Sequence, residues 1–392
     1  MRKSFKFKLF TNKKKAKRLR QELFIFCSIY NHCLRLIKNH YKIFKKNPTK
    51  NDLQKHLVRL MKRGDQPEWK NLSYSQGIQD VTDRIYKSYD SFFNWCKKKS
   101  GDRKSPPKFR PFRKYKSFTL KQAGWSLDEE KGRVKIGKRY YRYNKSRSII
   151  GVAKTITIKR DAVGDFYIII SCDLGEGFIP TKVASMTGKS AGFDFGLKSF
   201  LKSSENEEIG SGEFLKSSLL ELKKKGQELS KKVKGSKNRK KARKALARVY
   251  RKISNQREDA HFKLAHILVH QYDLLVFENL SMNGMKKLWG RKISDYAFAD
   301  FLKILKFKCA EHRKQFIKVD KFFPSSKLCS NLQCGNIKLK EELKLSDRVY
   351  CCDGCGLVID RDLNAAINIL REGISSLGLD RVRRKEISAL VA

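Results

Sequence analysis

Three carboxylates and a knot of cysteines stand where this sequence could do chemistry. Asp194 closes an apolar run in Gly192-Phe-Asp-Phe-Gly-Leu-Lys198, and Glu278 closes Asp273-Leu-Leu-Val-Phe-Glu. Asp362 lies in Asp360-Arg-Asp-Leu-Asn-Ala-Ala-Ile-Asn368, at the mouth of a helix. Singly, an acid at a strand end bonds a turn, and an acid before a helix caps it. Together they read differently. Carboxylates gathered at the rim of one sheet repel, and cations must stabilise them. Two Mg²⁺ ions ~3.5–4 Å apart are the chemical use of such a cluster, one activating water for in-line attack on a phosphodiester, the other stabilising the leaving 3′ oxygen.

The cysteines ask for a different metal. Five of the ten fall between residues 329 and 355, as Cys329-x4-Cys334 and then Cys351-Cys352-x2-Cys355. Gly335 and Gly356 each follow the second cysteine of a pair. Two such knuckles can surround Zn²⁺ tetrahedrally at ~2.3 Å, and four protein ligands leave no open position for catalysis. The x2 spacing to Cys355 favours Cys352 over its neighbour Cys351 as the third ligand. The set Cys329, Cys334, Cys352 and Cys355 is therefore expected to hold structural Zn²⁺.

These residues need elements to position them. Residues 190–195, 273–278 and 315–321 read as buried strands, 295–314 as an amphipathic helix and 364–370 as a short helix. Strands and helices that alternate from residue 187 onward predict an α/β domain. Before it, residues 2–9, 133–136, 155–158 and 166–171 follow strand patterns. Between the first of these and the rest, apolar residues recur at helical spacing over about 13–45 and 76–98. Pro106, Pro107 and Pro111 mark a basic loop after them. A β-rich module interrupted by a helical insertion is expected.

The charge identifies the partner. The 392 residues carry 89 Lys and Arg against 39 Asp and Glu, a formal net charge of +50. Such an excess repels itself unless a polyanion neutralises it. Nucleic acid fits, and a membrane surface does not, because the basic residues are spread along the chain without an amphipathic anchor. Residues 221–252 concentrate 15 Lys and Arg with only Glu221 and Glu228 to pair them, which points to a phosphate backbone. No apolar run reaches the ~18–20 residues of a membrane span, and the basic start lacks the apolar core of a signal peptide. The scattered remaining cysteines read as intracellular.

Four segments in one order now resemble a family. Gly-Phe-Asp-Phe-Gly-Leu-Lys198, Phe277-Glu-Asn-Leu-Ser-Met-Asn-Gly-Met285, Ser325-Ser-Lys-Leu-Cys-Ser330 and Asp-Arg-Asp-Leu-Asn-Ala-Ala-Ile-Asn-Ile369 are similar to the RuvC motifs and zinc segment of TnpB nucleases. These are relatives of type V CRISPR effectors and of the Fanzor proteins. Lys6-Phe-Lys-Leu-Phe, Tyr30-Asn31 and Pro107-Lys-Phe-Arg extend the resemblance over nearly the whole chain. Glu278-Asn279 stands where Glu-Asp is commoner, and Phe195 is a tolerated variant; neither removes a metal ligand.

The resemblance implies an α+β multidomain fold. A wedge-type β-barrel (1–10 and 110–185) would carry a helical recognition domain (11–109). An RNase H-like (RuvC) nuclease domain (186–392) would follow, with a zinc insert at about 322–358. The family's catalytic acids fall on Asp194, Glu278 and Asp362, with Asp360 as the alternative to Asp362. The implied activity is RNA-guided cleavage of double-stranded DNA beside a short adjacent motif, by two Mg²⁺ (or Mn²⁺) ions. The guide RNA would come from the transposon end, the protein would be a monomer in the RNA complex, and the setting would be a prokaryotic cytoplasm or nucleoid. A CRISPR-associated effector of the same fold, a transposase and a nuclease-dead guided binder remain as alternatives.

Overall fold

The computed structural model describes residues 2–64, 69, 75–98, 103–175, 183–196, 198–210, 212–280, 290, 292–339, 342–343 and 347–377. Leu197, the motif residues 281–285, parts of the expected zinc insert and the tail past 377 lie outside these. The chain divides into two units, Met1–Phe178 and Ile179–Ala392.

In the first unit, strand β1 (Arg2–Phe10) buries Phe5, Phe7 and Leu9 on one face, as its alternating pattern requires. Helix α1 (Lys13–Phe44) starts where the Asn12 side chain accepts a hydrogen bond from the Lys15 N–H at 2.8 Å. Helix α2 (Lys50–Arg63) starts at a capping box between Thr49 and Asp52, and α3 (Ser75–Lys98) follows. Six strands succeed them: β2 (Ser117–Leu120), β3 (Trp125–Asp128), β4 (Arg133–Ile136), β5 (Arg139–Tyr143), β6 (Val152–Arg160) and β7 (Phe166–Asp173). The sheet order is β2-β6-β7-β1-β5-β4-β3, antiparallel throughout. The first strand thus sits at its centre, pairing with β7 along Arg2–Lys8 and handing over to β5 at Leu9 and Phe10.

In the second unit, β8 (Ser190–Asp194), β9 (Leu201–Ser203) and β10 (Glu208–Ile209) form an antiparallel meander. Helices α4 (Phe214–Ser217), α5 (Leu219–Ser230) and α6 (Lys237–Gln271) lead to β11 (Leu274–Glu278). Then come α7 (Phe298–His312) and β12 (Gln315–Val319). The sheet order is β10-β9-β8-β11-β12, with β8, β11 and β12 parallel. A small ladder of β13 (Val349–Cys351) and β14 (Val358–Asp360) precedes the last helix, α8 (Arg361–Ser376). Leu275 and Phe277 face the core shared with α6 and α7, while Leu274 and Val276 face α8. The sheet is therefore covered on both sides, which explains why its parallel strands read as unbroken apolar runs. The expected helix over 295–314 is interrupted at Ala297, which takes a left-handed φ of 49°; residues 292–296 are helical before it and α7 runs after it to His312. Among the described residues, no helix is long and apolar enough to cross a membrane.

Candidate metal centres

Side-chain alternation decides where the acids point. Glu278 has the parity of Leu274 and Val276, so it projects toward α8. Asp194 has the parity of Gly192, the residue of β8 that meets α8. A Cβ at Gly192 would lie 2.3 Å from the Ala366 carbonyl and 2.6 Å from the Leu370 amide nitrogen. Only glycine admits the helix that close. Phe277 is paired with Phe193 across the parallel ladder, so Asp194 and Glu278 follow side by side at the carboxyl ends of β8 and β11. The N-terminus of α8 completes the rim, with Asp362 in its first turn.

The two acids left open at that terminus stand in different settings. Asp360 is exposed and caps the helix, its carboxylate accepting from the Leu363 N–H at 2.9 Å. Asp362 is half-buried and acts electrostatically on Asp194. Burial pushes the Asp194 carboxyl well above its ordinary range, and the charges of Glu278 and Asp362 push it further. The Phe195 N–H and Arg361 oppose this. Burial raises Glu278 as well, against a hydrogen bond donated by the Ser325 hydroxyl. The carboxylates do not close into one tight ligand shell. Among the described residues, the cysteine quartet alone brings three or more candidate ligand atoms within 4.8 Å of one another. Two ions set ~3.5–4 Å apart do not require the tighter spacing.

Sequence reasoning missed what ties this rim to the cysteines. Asn364 and Asn368 on α8 are fully buried. The Asn364 amide donates to the Leu328 carbonyl at 2.8 Å and accepts from the Ser330 N–H at 2.9 Å. Asn368 donates to the Ser325 and Leu328 carbonyls at 2.9 and 2.6 Å. The pair thus clamps segment 325–330, which carries both the Ser325 partner of Glu278 and the first cysteine. Their spacing on one helical face was visible in the sequence, but their partners, 34–43 residues earlier, were not.

Cys329, Cys334, Cys352 and Cys355 come together, with Sγ–Sγ distances of 3.7 Å for Cys329–Cys355 and 3.5 Å for Cys334–Cys352. A tetrahedral ion with ~2.3 Å bonds to sulfur needs edges of about 3.8 Å, so the quartet fits a metal such as zinc. Cys351 is exposed and stands outside the quartet. Gly335 and Gly356 take φ of 62° and 72°, the left-handed turn that closes each knuckle. Burial works to raise the Cys352 thiol, but N–H groups of Cys355 and Gly354 and the Asn336 amide hold it down at about 6. A thiolate is thus favoured there at neutral pH.

The second unit is an α/β/α domain with an acid-rimmed sheet and a four-cysteine knuckle clamped to its last helix. Residues 179–288 match the OrfB_IS605 family model, described as "Probable transposase", and residues 298–369 match "Cas12f1-like, TNB domain". A protein of Streptomyces pristinaespiralis named "Putative RNA-guided DNA endonuclease" is 36% identical over 224 residues, 57% of this chain and 53% of that protein. "TnpB-like protein L770" of Acanthamoeba polyphaga mimivirus is 27% identical over 286 residues, 66% of this chain and 52% of its own. "Putative RNA-guided DNA endonuclease InsQ" of Escherichia coli K12 is 26% identical over 333 residues, 80% of this chain and 78% of its own. The chain spans about half the length of the first two. A chain in the cryo-EM structure of the Cas12f1-sgRNA-target DNA complex shares the fold, with a TM-score of 0.53 at 15% identity over 92% of this chain and 83% of that one. The chain is thus similar to TnpB-like proteins and to proteins named "Putative RNA-guided DNA endonuclease", and over residues 298–369 to a Cas12f1-like domain.

Proposed function

We propose that this chain is a transposon-encoded, RNA-guided DNA endonuclease that cuts guide-matched DNA beside a short adjacent motif. The observation that carries the reading is the position of Asp194, Glu278 and Asp362 on one rim, where burial and then the charges of the other two raise Asp194. Two Mg²⁺ or Mn²⁺ ions held there would activate water and stabilise the leaving 3′ oxygen of a phosphodiester. The chain's own residues prepare the rim. Ser325 fixes one Glu278 oxygen by hydrogen bond. The positive end of the α8 dipole favours carboxylates at its mouth. The α5–α6 hairpin, joined by the apolar seam of Leu222, Val249 and Ile253, offers its Lys and Arg to RNA or heteroduplex phosphates.

In this reading the second unit acts as an RNase H-like (RuvC) domain, to which three antiparallel strands continued by two parallel ones are suited. The first unit's sheet serves as the wedge-type barrel and α1–α3 as the recognition insertion. Zn²⁺ at Cys329, Cys334, Cys352 and Cys355 is structural. Guide RNA and double-stranded DNA are the partners of a monomer, and pairing rather than protein contacts supplies sequence specificity. The description of the family model matched at residues 179–288 favours a second reading, a transposase.

The test is to express the chain with its native flanking DNA, purify it at high salt and sequence the copurified RNA. A single RNA from the 3′ flank, ending in a variable guide and supporting Mg²⁺-dependent cleavage, is expected. A repeat-derived RNA would make it a CRISPR-type effector. Strand transfer on transposon-end DNA without any discrete RNA would sink the guided reading in favour of the transposase.

A further inference from the structure

Arg371 has no role in the chemistry above, yet its position is constrained. It lies on α8 three residues beyond Asn368 and seven beyond Asn364, on the face those asparagines turn to segment 325–330. Its Nε and Nη2, the side-on pair of N–H donors, are shielded from solvent and have no hydrogen-bond acceptor. Among the described residues no carboxylate is paired with it. Arg371 as a whole is half-buried, and shielding two of its N–H donors without a counter-charge or acceptor is disfavoured. It lines a cavity of about 340 Å³ together with Phe323, Leu328, Cys329, Asn368 and Glu372, whose carboxylate is not paired with it. Burial lowers the affinity of the guanidinium for its proton, and Cys329 is the one group that works the other way.

The cysteine quartet has the opposite deficit. A divalent ion with four thiolates sums to two negative charges, because each ligand must be deprotonated. The neutral donors around the sulfurs, the Asn331 N–H at 3.4 Å from Cys329 and the Asn336 amide at 3.7 Å from Cys352, do not cancel them. Lys338 is nearby in the chain, but its ammonium is already paired with Asp353 at 2.9 Å.

We propose that Arg371 is the counter-cation of the four-thiolate metal centre, a positioning residue that couples metal retention to the helix bearing Asp362. The inference rests on the quartet holding a metal ion and is independent of the nuclease reading. Asn364 and Asn368 bind the backbone of the knuckle to α8, and Arg371 adds the charge term. Outer-shell partners of metal ligands typically contribute 10–100-fold in affinity.

The test uses the full chain, purified with zinc and titrated with a colorimetric chelator. Arg371→Met, which keeps bulk and removes charge, is expected to lose zinc at ~10–100-fold lower chelator concentration than the parent. Arg371→Lys should stay within a few-fold of the parent. Arg371→Gln, a smaller polar change, covers the case in which the Met variant does not fold, and it should resemble Met. In Co²⁺-loaded protein, the thiolate charge-transfer band should be bleached at correspondingly lower chelator in the Met variant. Equal retention in the parent and uncharged variants would overturn the proposal, as would an equal loss in Lys and Met, which would mean packing rather than charge. A parent chain that binds no zinc would remove the metal reading itself, a separate failure.

Discussion

The four thiols and the three carboxylates are joined through α8 and segment 325–330, which carry Asp362, Cys329 and the Ser325 partner of Glu278, yet they are built to opposite ends. The thiols lie at nearly the edge lengths of a tetrahedron, on tight turns whose backbone N–H groups point at sulfur. The carboxylates stand apart at two strand ends and a helix start, and burial together with the charges of Glu278 and Asp362 raises Asp194. A closed shell of soft ligands fixes a fold and offers no coordination site to a substrate. An open shell of hard ligands is unstable alone and leaves positions for water and phosphate oxygens. The hydrogen bonds of Asn364, Asn368 and Ser325 thus connect the acidic rim to the cysteine knuckle.

Substitution should pull the two apart. Asp194→Ala removes a ligand and little surface, so cleavage should fall on the order of 10³-fold or more while RNA binding and zinc content persist. Measuring cleavage and copurified RNA on the same preparation checks this; undiminished cutting would show that the reactive site lies elsewhere. Cys355→Ser should do the reverse of a clean chemical lesion. Zinc content should drop and the knuckle should become protease-sensitive, because structural metal contributes folding energy. Full zinc content with an unchanged melting temperature would break the comparison.

Gly192 tests whether proximity of α8 matters to both centres. Alanine there must push against the backbone of Ala366 and Leu370, and overpacking of this kind costs about 1–3 kcal/mol. The melting temperature should fall and cleavage should weaken more than global stability accounts for, since Asp362 is displaced with the helix. Unchanged stability would mean that α8 can ride further from the sheet than described.

How much of this was legible follows from where the information lies. The run at 273–278 revealed β11 because a strand buried on both faces is apolar throughout. The cysteine knuckles showed in spacing alone, since each pair is local. The polar α2 of Lys50–Arg63 left little signal, with Leu53 and Leu57 its only fully buried residues. Strands β9 and β10, three and two residues long, carry no periodicity. Ser325 could be seen in a motif but not as the partner of Glu278, 47 residues away. Arg371 gave no signal at all, because an unpaired, shielded charge is defined only by what packs around it.

The smallest effect expected is also the most diagnostic of the rim. Asp194 and Glu278 have folded-state pKa values raised above their ordinary ones. An acid raised in this way penalises the fold above its folded pKa, where it is ionised in both states. The penalty is relieved as pH falls through that value, because the folded chain then takes up a proton before the unfolded chain does. Without added divalent metal, Asp194→Asn should therefore be more stable than the parent at pH 8. The difference should shrink as pH falls and the parent carboxyl takes up a proton. Mg²⁺ should raise the parent's melting temperature, more strongly at higher pH, and should leave Asp194→Asn nearly unmoved. The thiol centre predicts no such Mg²⁺ response, so equal shifts in parent and variant would place the ion away from Asp194.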